Sequence, residues 1–286
     1  MRIALPNKGR LTEGARELLE RAGLEFELRG ERALQAALGG ELSALFLNAR
    51  DIPEFVADGA ADLGITGRDL IEESGRELIT LLDLEFGRCR LAVAASEESG
   101  IRQVSQVEDG ARVATVFPRL TGRYFEQIGK RVTIVPISGA AEIVPHLGVA
   151  DVIVDLVATG STLKINGLRE VATILESTAC LVAPPAMLND ARARGQVEEL
   201  VTALESVLQA REKRYLMANV PRAVLAEVKK VLPGISGPTI VDILDGGTFV
   251  AAHAVVEQRA IYRVIADLKK LGATGILVTR IERLMP

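Results

Sequence analysis

The stretch at positions 155–163 has the composition of an anion-binding loop. It follows an apolar, β-branched segment at 150–154 that predicts a buried strand. Its hydroxyl donors and its glycine are Thr159, Gly160, Ser161 and Thr162. Asp155, at the end of the predicted strand, could accept hydrogen bonds from the hydroxyls of whatever molecule carries the anion. A carboxylate followed by a phosphate-binding loop suits a phosphorylated sugar, and an ordinary turn rich in threonine and glycine is the alternative.

A longer pattern around this loop resembles the signature of the ATP phosphoribosyltransferases, which catalyse the first step of histidine biosynthesis. The matching residues are Glu142, Gly148, Ala150, Ile153, Asp155, Leu156, Thr159, Gly160, Thr162 and Leu163. The resemblance implies that Glu142 and Asp155 are the catalytic residues and bind the ribose hydroxyls of phosphoribosyl pyrophosphate. It also implies that the 5′-phosphate is held by the loop, whose residues are Asp155, Ala158, Thr159, Gly160, Ser161, Thr162 and Leu163.

Polar residues also collect after the predicted strands of the first part of the chain. Strands at 2–5, at 44–47 and within 59–67 alternate with helices, which predicts a mostly parallel sheet. Ligands gather at the carboxyl ends of strands in such a sheet. The residues that follow these ends are Lys8, Gly9, Arg10, Arg50, Asp51, Gly67 and Asp69. Each by itself could be a solvated loop residue, but their placement at three strand ends favours a binding site.

The helices between these strands have recognisable starts. Thr12 is predicted to be the N-cap of a helix that runs through Ala22 and buries Leu18 and Leu19. Pro53 is predicted to start a helix that runs to Asp58.

A second α/β unit is predicted from about Leu91 to Ser177. Its strands are expected at 113–116 and 133–136, with a helix starting at Pro118 and another, carrying Glu142, at 140–147. The chain would cross between the units near Arg90 and again near Cys180. The predicted result is two α/β lobes, with residues 1–90 and 179–210 in lobe I and 91–178 in lobe II. This arrangement resembles the type II periplasmic-binding-protein architecture of the family.

The remaining residues, 211–286, predict a third, ferredoxin-like unit of order βαββαβ. A helix at about 196–209 leads to it, and its two central strands would be joined by a hairpin turn at Asp245-Gly246-Gly247. This unit resembles the C-terminal regulatory domain of long-form ATP phosphoribosyltransferases.

That resemblance implies feedback inhibition by histidine and a shift from active dimers toward a hexamer. The pocket is expected between neighbouring chains, at loops 236–239 and 272–275, with Thr239 and Ala273 as the candidate regulatory residues. Free backbone groups and the Thr239 hydroxyl would hold the amino acid, and plain turns are the alternative. Some relatives have an acidic side chain where this chain has Asn219.

Composition bounds the class of protein. The net charge is −4, from 34 basic and 38 acidic residues that are interspersed, so nothing indicates nucleic-acid binding. No apolar run is long enough to span a membrane, and the N-terminus leads directly into a strand, which predicts a cytoplasmic protein. Cys89 and Cys180 are interpreted as small buried residues of a reduced protein rather than nucleophiles. His146 and His253 lack ligand neighbours at the spacing of a zinc site.

The reaction implied by the resemblance is attack of N1 of the ATP adenine on the anomeric carbon of phosphoribosyl pyrophosphate. Pyrophosphate leaves with inversion, and catalysis is mainly positioning and electrostatics. Two polyanions require cations, for which Lys8, Arg10 and Arg50 are the candidates, and Asp69 is a candidate partner for the adenine or ribose of ATP. Mg²⁺ is expected to bind mainly through the substrate phosphates.

Three other classes of protein share some of these features. A non-enzymatic two-lobed binding protein would share the fold, but it would normally carry an export signal and need no phosphate loop. An amino-acid sensor would explain only the third unit. A phosphoribosyltransferase acting on a free base typically has two adjacent acids before its loop, whereas here Asp155 is followed by Leu156.

Overall fold

The structure is a computed structural model that describes residues 1–28, 34–243 and 247–285. The chain forms two compact units. The first comprises residues 1–20 and 24–197, and the second comprises residues 21–23 and the chain from Glu198 onward. The boundary at 197/198 lies inside a long helix, whereas the sequence placed the start of the third domain at residue 211.

The first unit contains twelve strands among its described residues. They are β1 Arg2–Pro6, β2 Glu27–Leu28, β3 Gln35–Ala37, β4 Ser43–Leu47, β5 Leu63–Gly67, β6 Ile79–Asp83, β7 Cys89–Ser96, β8 Arg112–Thr115, β9 Thr133–Pro136, β10 Val152–Val157, β11 Leu168–Ser177 and β12 Ala179–Ala183. The helices up to the unit boundary are α1 Thr12–Arg21, α2 Ile52–Ala57, α3 Arg68–Ser74, α4 Pro118–Gln127, α5 Ser161–Ile165 and α6 Ala191–Ala210.

The strands make two sheets, which with their helices we call lobe I and lobe II. The lobe I sheet has the order β2-β3-β4-β1-β5-β12-β6, and the lobe II sheet has the order β11-β7-β10-β8-β9. The chain passes from lobe I to lobe II between β6 and β7 and returns between β11 and β12. These crossings confirm the two predicted near Arg90 and Cys180.

Each lobe combines parallel and antiparallel strand pairs, with the parallel strands at the centre of the lobe I sheet and at one edge of the lobe II sheet. In lobe I, β1 is parallel to β4 and β5, while β12 is antiparallel to β5 and β6. In lobe II, β8 is parallel to β9 and β10, while β7 is antiparallel to β10 and β11. The parallel strands of each lobe therefore end at one edge of its sheet, which is the edge where ligands gather in α/β folds.

Three local predictions were wrong. Residues 140–147 form two 3₁₀ turns, Ala141–Ile143 and Pro145–Leu147, because Pro145 lacks the N–H that a continuous helix needs. Strand β10 runs on to Val157, and α5 begins at Ser161, so the predicted loop is shorter than expected. Thr12 is the first helical residue rather than the N-cap, and its buried hydroxyl has no hydrogen-bond partner within the described part of the chain.

The second unit contains the predicted four-stranded antiparallel sheet. Its elements are β13 Lys213–Pro221, α7 Leu225–Val231, β14 Thr239–Asp242, β15 Phe249–Glu257, α8 Ile261–Lys270 and β16 Thr274–Arg280. The strand order β14-β15-β13-β16, with antiparallel neighbours, is ferredoxin-like and confirms the predicted βαββαβ topology. Of the predicted hairpin turn, Asp245 and Gly246 lie outside the described residues.

Alternation of side chains along β15 explains the core of this unit. Val250, Ala252, Ala254 and Val256 are buried, and the residues between them are partly exposed. Leu268 of α8 is fully buried in the same core. Across the described ranges, no helix is both long and apolar enough to cross a membrane.

Candidate functional site

A cavity of about 340 Å³ lies between lobe I and lobe II. It is lined from lobe I by residues that follow β1, β4 and β5, and from lobe II by residues at or after the ends of β8, β9 and β10. The residues singled out from the sequence that line it are Lys8, Gly9, Arg10, Arg50, Asp69 and Asp155. Residues that the sequence reasoning missed are Asn48, Phe117, Ser138 and Gly139. Their position after strands β4, β8 and β9 was the available signal.

Asp155 lies in β10 and faces a partly enclosed environment. Its Oδ1 accepts a hydrogen bond from the backbone N–H of Leu156 at 2.7 Å. Burial raises the pKa of the Asp155 carboxyl above its ordinary value. The Leu156 N–H lowers this pKa, the Glu142 carboxylate raises it, and the Arg50 guanidinium lowers it. Asp155 is therefore a carboxylate with an acidic neighbour on one side and a cationic neighbour on the other.

Glu142 is brought close to Asp155 by the 3₁₀ turn that replaces the predicted helix. Ala140, just before the turn, has a left-handed backbone with φ of 51°. The Glu142 side chain is partly exposed, and none of the hydrogen bonds of the described residues uses its carboxylate. The Glu142 carboxylate is therefore near enough to Asp155 to raise the pKa of the Asp155 carboxyl, although burial of Asp155 raises it more.

The predicted phosphate loop is exposed and rich in donors. Gly160 has φ of +80°, a conformation that L side chains rarely adopt, and it precedes the short helix α5. Thr159 Oγ1 and Ser161 Oγ lie 2.9 Å apart, and Thr162 is exposed beside them. Leu163 is buried in the lobe II core, and Ala158 is exposed at the start of the loop. The loop thus combines solvent-facing hydroxyls with an apolar anchor.

Two of the predicted cations are available to a ligand. Lys8 and Arg50 are exposed, and neither makes an ion pair with any other residue that the structure describes. The Arg50 guanidinium lies over the Phe117 ring, 5.5 Å from its centroid, which holds the charge at the cavity wall. These two side chains provide positive charge where polyanions would enter.

Arg10 and Asp69, by contrast, are already paired with protein groups. Arg10 NH2 lies 2.7 Å from Asp69 Oδ1, and Arg10 NH1 donates to the Gly87 carbonyl. Ser177 Oγ donates to the same Asp69 Oδ1 at 2.5 Å, and it accepts from the Asp69 N–H at 3.1 Å. Asp69 is fully buried, and its Oδ2 has no partner among the described residues. A contact between Asp69 and ATP would therefore require a local rearrangement.

The loop at 272–275, one of the two predicted to bind histidine, differs from the prediction that its backbone groups are free. The N–H groups of Gly272 and Ala273 donate to the carbonyls of Lys269 and Leu268, closing the end of α8. Ala273 is 2% exposed and belongs to the domain core, so it does not offer a ligand its side chain or its N–H. Thr239 is exposed at the start of β14. Its cross-strand partner His253 makes a 2.7 Å hydrogen bond to the Tyr215 hydroxyl, a polar pair that sequence reasoning missed.

Both cysteines are buried, as the sequence interpretation expected. Cys89 and Cys180 are both buried and unpaired in a disulfide, and burial raises the pKa of each thiol. The burial confirms that both side chains are packed in the protein interior. Within residues 1–28, 34–243 and 247–285, no three His, Cys, Asp or Glu side chains are grouped to hold a metal ion.

Comparison with known proteins identifies the chain. Residues 48–206 match the family model described as ATP phosphoribosyltransferase, and residues 210–283 match the model described as HisG, C-terminal domain. An ATP phosphoribosyltransferase of Gemmatimonas aurantiaca is 60% identical over 291 residues, covering 100% of both chains.

Solved structures give the same result. A chain of the ATP phosphoribosyl transferase (HisG:HisZ) complex from Thermotoga maritima is 29% identical with a TM-score of 0.62, covering 72% of this chain and 98% of that one. The substrate-binding protein of an amino acid ABC transporter, 11% identical, aligns with a TM-score of 0.51 over 74% of this chain and 94% of its own. This likeness confirms the periplasmic-binding-protein-like fold of the two lobes. The chain belongs to the ATP phosphoribosyltransferase family, as a long-form member with the C-terminal domain, and is a pentosyl-transferring enzyme.

Proposed function

We propose that this chain transfers the phosphoribosyl group of phosphoribosyl pyrophosphate to N1 of ATP and releases pyrophosphate, as the first step of histidine biosynthesis. One observation carries the proposal. One cavity is lined by Lys8 and Arg50, which form no ion pair with any described residue, and by Asp155, whose strand leads into a hydroxyl-rich loop. Two polyanionic substrates and a sugar that becomes cationic need this combination of charges.

The donor binds on lobe II in this proposal. The hydroxyls of Thr159, Ser161 and Thr162 donate to the 5′-phosphate, and Gly160 permits its close approach. Asp155 and Glu142 accept hydrogen bonds from the ribose hydroxyls. Support comes from the exposure of all three loop hydroxyls and from the proximity of the two carboxylates.

The transition state explains why Asp155 should be ionised. As pyrophosphate departs, positive charge develops at the anomeric carbon and ring oxygen of the ribose. A carboxylate placed nearby stabilises that charge, and partial burial strengthens the interaction because less water screens it. The adenine N1 attacks the anomeric carbon from the face opposite the departing pyrophosphate, which inverts the configuration at that carbon. The protein supplies position and charge, and no covalent intermediate is needed.

Lys8 and Arg50 neutralise the leaving pyrophosphate and the ATP phosphates in this proposal. Both are exposed at the cavity, and neither forms an ion pair with a carboxylate among the described residues. Arg10 and Asp69 form the floor of the cavity, since their charges already satisfy each other. Mg²⁺ enters bound to the substrate phosphates, because it keeps several waters and prefers phosphate oxygens to a dedicated protein cage.

The test is a coupled assay with the full-length protein. Pyrophosphate should appear only when ATP, phosphoribosyl pyrophosphate and Mg²⁺ are all present, with a matching rise in near-ultraviolet absorbance from the modified adenine. Pyrophosphate release at the same rate without ATP would indicate simple hydrolysis of the donor and would overturn the proposal.

We further propose that histidine inhibits the enzyme through the second unit, in a cytoplasmic homo-oligomer that changes between dimer and hexamer. The match of residues 210–283 to the C-terminal domain model supports this, as does the exposure of Thr239. Because the N–H groups of Gly272 and Ala273 are engaged within the domain, we assign the ligand contact to Thr239 and its loop. Inhibition that is not competitive with ATP is the expected signature.

A further inference from the structure

An ion pair beside the phosphate loop has no role in the reaction just proposed. Arg90 Nε lies 2.8 Å from Glu170 Oε1, and Arg90 NH2 lies 2.6 Å from Glu170 Oε2, so the guanidinium and the carboxylate meet along two parallel contacts. The remaining nitrogen, Arg90 NH1, donates to the carbonyl of Ala158 at 3.3 Å. Ala158 is the residue that opens the loop. One guanidinium therefore bridges a fixed carboxylate and the loop backbone.

The strand arrangement explains how these groups meet. Strand β7 lies between β10 and β11, and Arg90 is paired in register with Val157, directly before the loop. Ala92 and Ala94 follow Arg90 on the same side of β7, and Glu170 is paired with Ala94. Arg90 and Glu170 are therefore not register partners, since Arg90 is paired with Glu176 on β11, and their long side chains reach across this offset to touch.

The Glu170 end is also held in place. Thr173 Oγ1 donates to Glu170 Oε1 at 2.9 Å. Strand β11 departs from regular pairing between Glu170 and Ala172 and again between Thr173 and Leu175. Such irregularities re-aim side chains near functional sites. The hydrogen bonds from Arg90 lower the pKa of Glu170 and in turn raise the pKa of Arg90, so both groups stay charged.

We infer that Arg90 and Glu170 are positioning residues that hold the backbone at Ala158, and hence the loop, in the orientation that receives the donor's 5′-phosphate. The inference rests on the proposed function of the loop. Because Glu170 already compensates the charge of Arg90, the arginine acts through the loop geometry and not as a further phosphate ligand. Preorganising the loop avoids the ordering cost that a mobile loop would incur on binding.

The geometry of the guanidinium makes this testable by a conservative change. Lysine keeps the charge but cannot satisfy a carboxylate along two contacts and a carbonyl at the same time. In Arg90→Lys, we expect residues 158–164 to exchange backbone hydrogens faster than in the wild type, in the absence of substrates. We expect the KM for phosphoribosyl pyrophosphate to rise about tenfold, as for the loss of one charge-assisted positioning contact. The kcat and the KM for ATP should stay within about twofold.

Arg112→Lys is the matched control. Arg112 NH2 lies 3.0 Å from Asp151 Oδ1, and Arg112 NH1 donates to the Gly148 carbonyl at 2.9 Å. It therefore also joins a carboxylate and a backbone carbonyl in lobe II, but it does not line the cavity, and none of its hydrogen bonds within the described ranges reaches the loop. This variant should match the wild type in the rate of backbone hydrogen exchange of residues 158–164 and in the KM for phosphoribosyl pyrophosphate.

The outcomes separate this inference from the proposed function. Unchanged exchange of residues 158–164 in Arg90→Lys would overturn the inference whatever the activity. Faster exchange with an unchanged KM for the donor would also overturn it, provided that Thr162→Ala raises that KM. If Thr162→Ala also binds the donor normally, the loop is not the phosphate site, and the proposed function of the loop fails instead. Faster exchange together with the raised KM would support the positioning role.

Discussion

Replacing Asp69 with alanine is expected to destabilise the first unit without a specific loss of ATP affinity. The substitution removes the acceptor of two hydrogen bonds, from Arg10 NH2 at 2.7 Å and from Ser177 Oγ at 2.5 Å. Breaking a buried ion pair by removing one partner costs about 3–5 kcal/mol. Here the cost is smaller because the Arg10 side chain is 30% exposed and can be hydrated, while the unpartnered Oδ2 is removed as well. We expect a net loss of about 2 kcal/mol, or about 4–8 °C in the melting transition.

Thermal melting of the full-length protein, followed by circular dichroism, measures this effect. Glu97→Ala is the control in the same unit, because Glu97 meets Arg169 at 3.8 Å and the two side chains are 57% and 41% exposed. An exposed pair of this kind contributes about 0–1 kcal/mol, so the control should melt close to the wild type. If Asp69→Ala melts like the wild type but binds ATP tenfold more weakly, Asp69 is an ATP ligand and the structural argument is wrong.

Three further predictions follow from the site. Thr159→Ala and Thr162→Ala should each lower the affinity for phosphoribosyl pyrophosphate by about one to two orders of magnitude, since a hydroxyl donor to a charged oxygen contributes about 1.5–3 kcal/mol. Normal binding of phosphoribosyl pyrophosphate by both variants in calorimetry would contradict the assignment of the loop as the phosphate site. Because burial raises the pKa of Asp155 and the reaction needs its carboxylate ionised, kcat should fall with acidification at a pH above the ordinary aspartate range. Glu142→Gln should move that acid limb to lower pH by removing a negative neighbour, and an unmoved limb would exclude Asp155 as the titrating group. Histidine should slow the reaction of the wild type without competing with ATP. Thr239→Val should weaken that inhibition while leaving the KM values for both substrates unchanged. Full inhibition of the variant by histidine would show that histidine binds elsewhere.

Local patterns in the sequence predicted much of the fold. The crossings near Arg90 and Cys180 follow from apolar runs that the structure places in β7 and β12. The βαββαβ order of the second unit was equally visible, since its strands and helices alternate with clear turn residues. The strands β2, β3, β6 and β11 were not predicted. The irregular pairing of β11 gives it no clean alternation of apolar and polar positions.

The candidate site was predictable in position but not in pairing. The rule that ligands gather at carboxyl ends of parallel strands located Lys8, Arg50 and Asp155 at one cavity. No sequence pattern showed that Ser177, which lies 108 positions from Asp69, would donate a hydrogen bond to its carboxylate. Such a contact depends on how the segments at the two crossings between the lobes lie beside each other. The same holds for Arg90 and Glu170, which are 80 positions apart. Ion pairs between distant residues thus decide which charged groups remain free for a ligand.

The most direct test of the central claim is identification of the bond that the enzyme forms. The product made from ATP and phosphoribosyl pyrophosphate can be purified and examined by nuclear magnetic resonance, which reports the linkage position and the anomeric configuration together. The proposal predicts a ribosyl bond to N1 of the adenine with inversion at the anomeric carbon. A product with the α configuration retained, a ribosyl group on any other atom, or ribose 5-phosphate alone would contradict it.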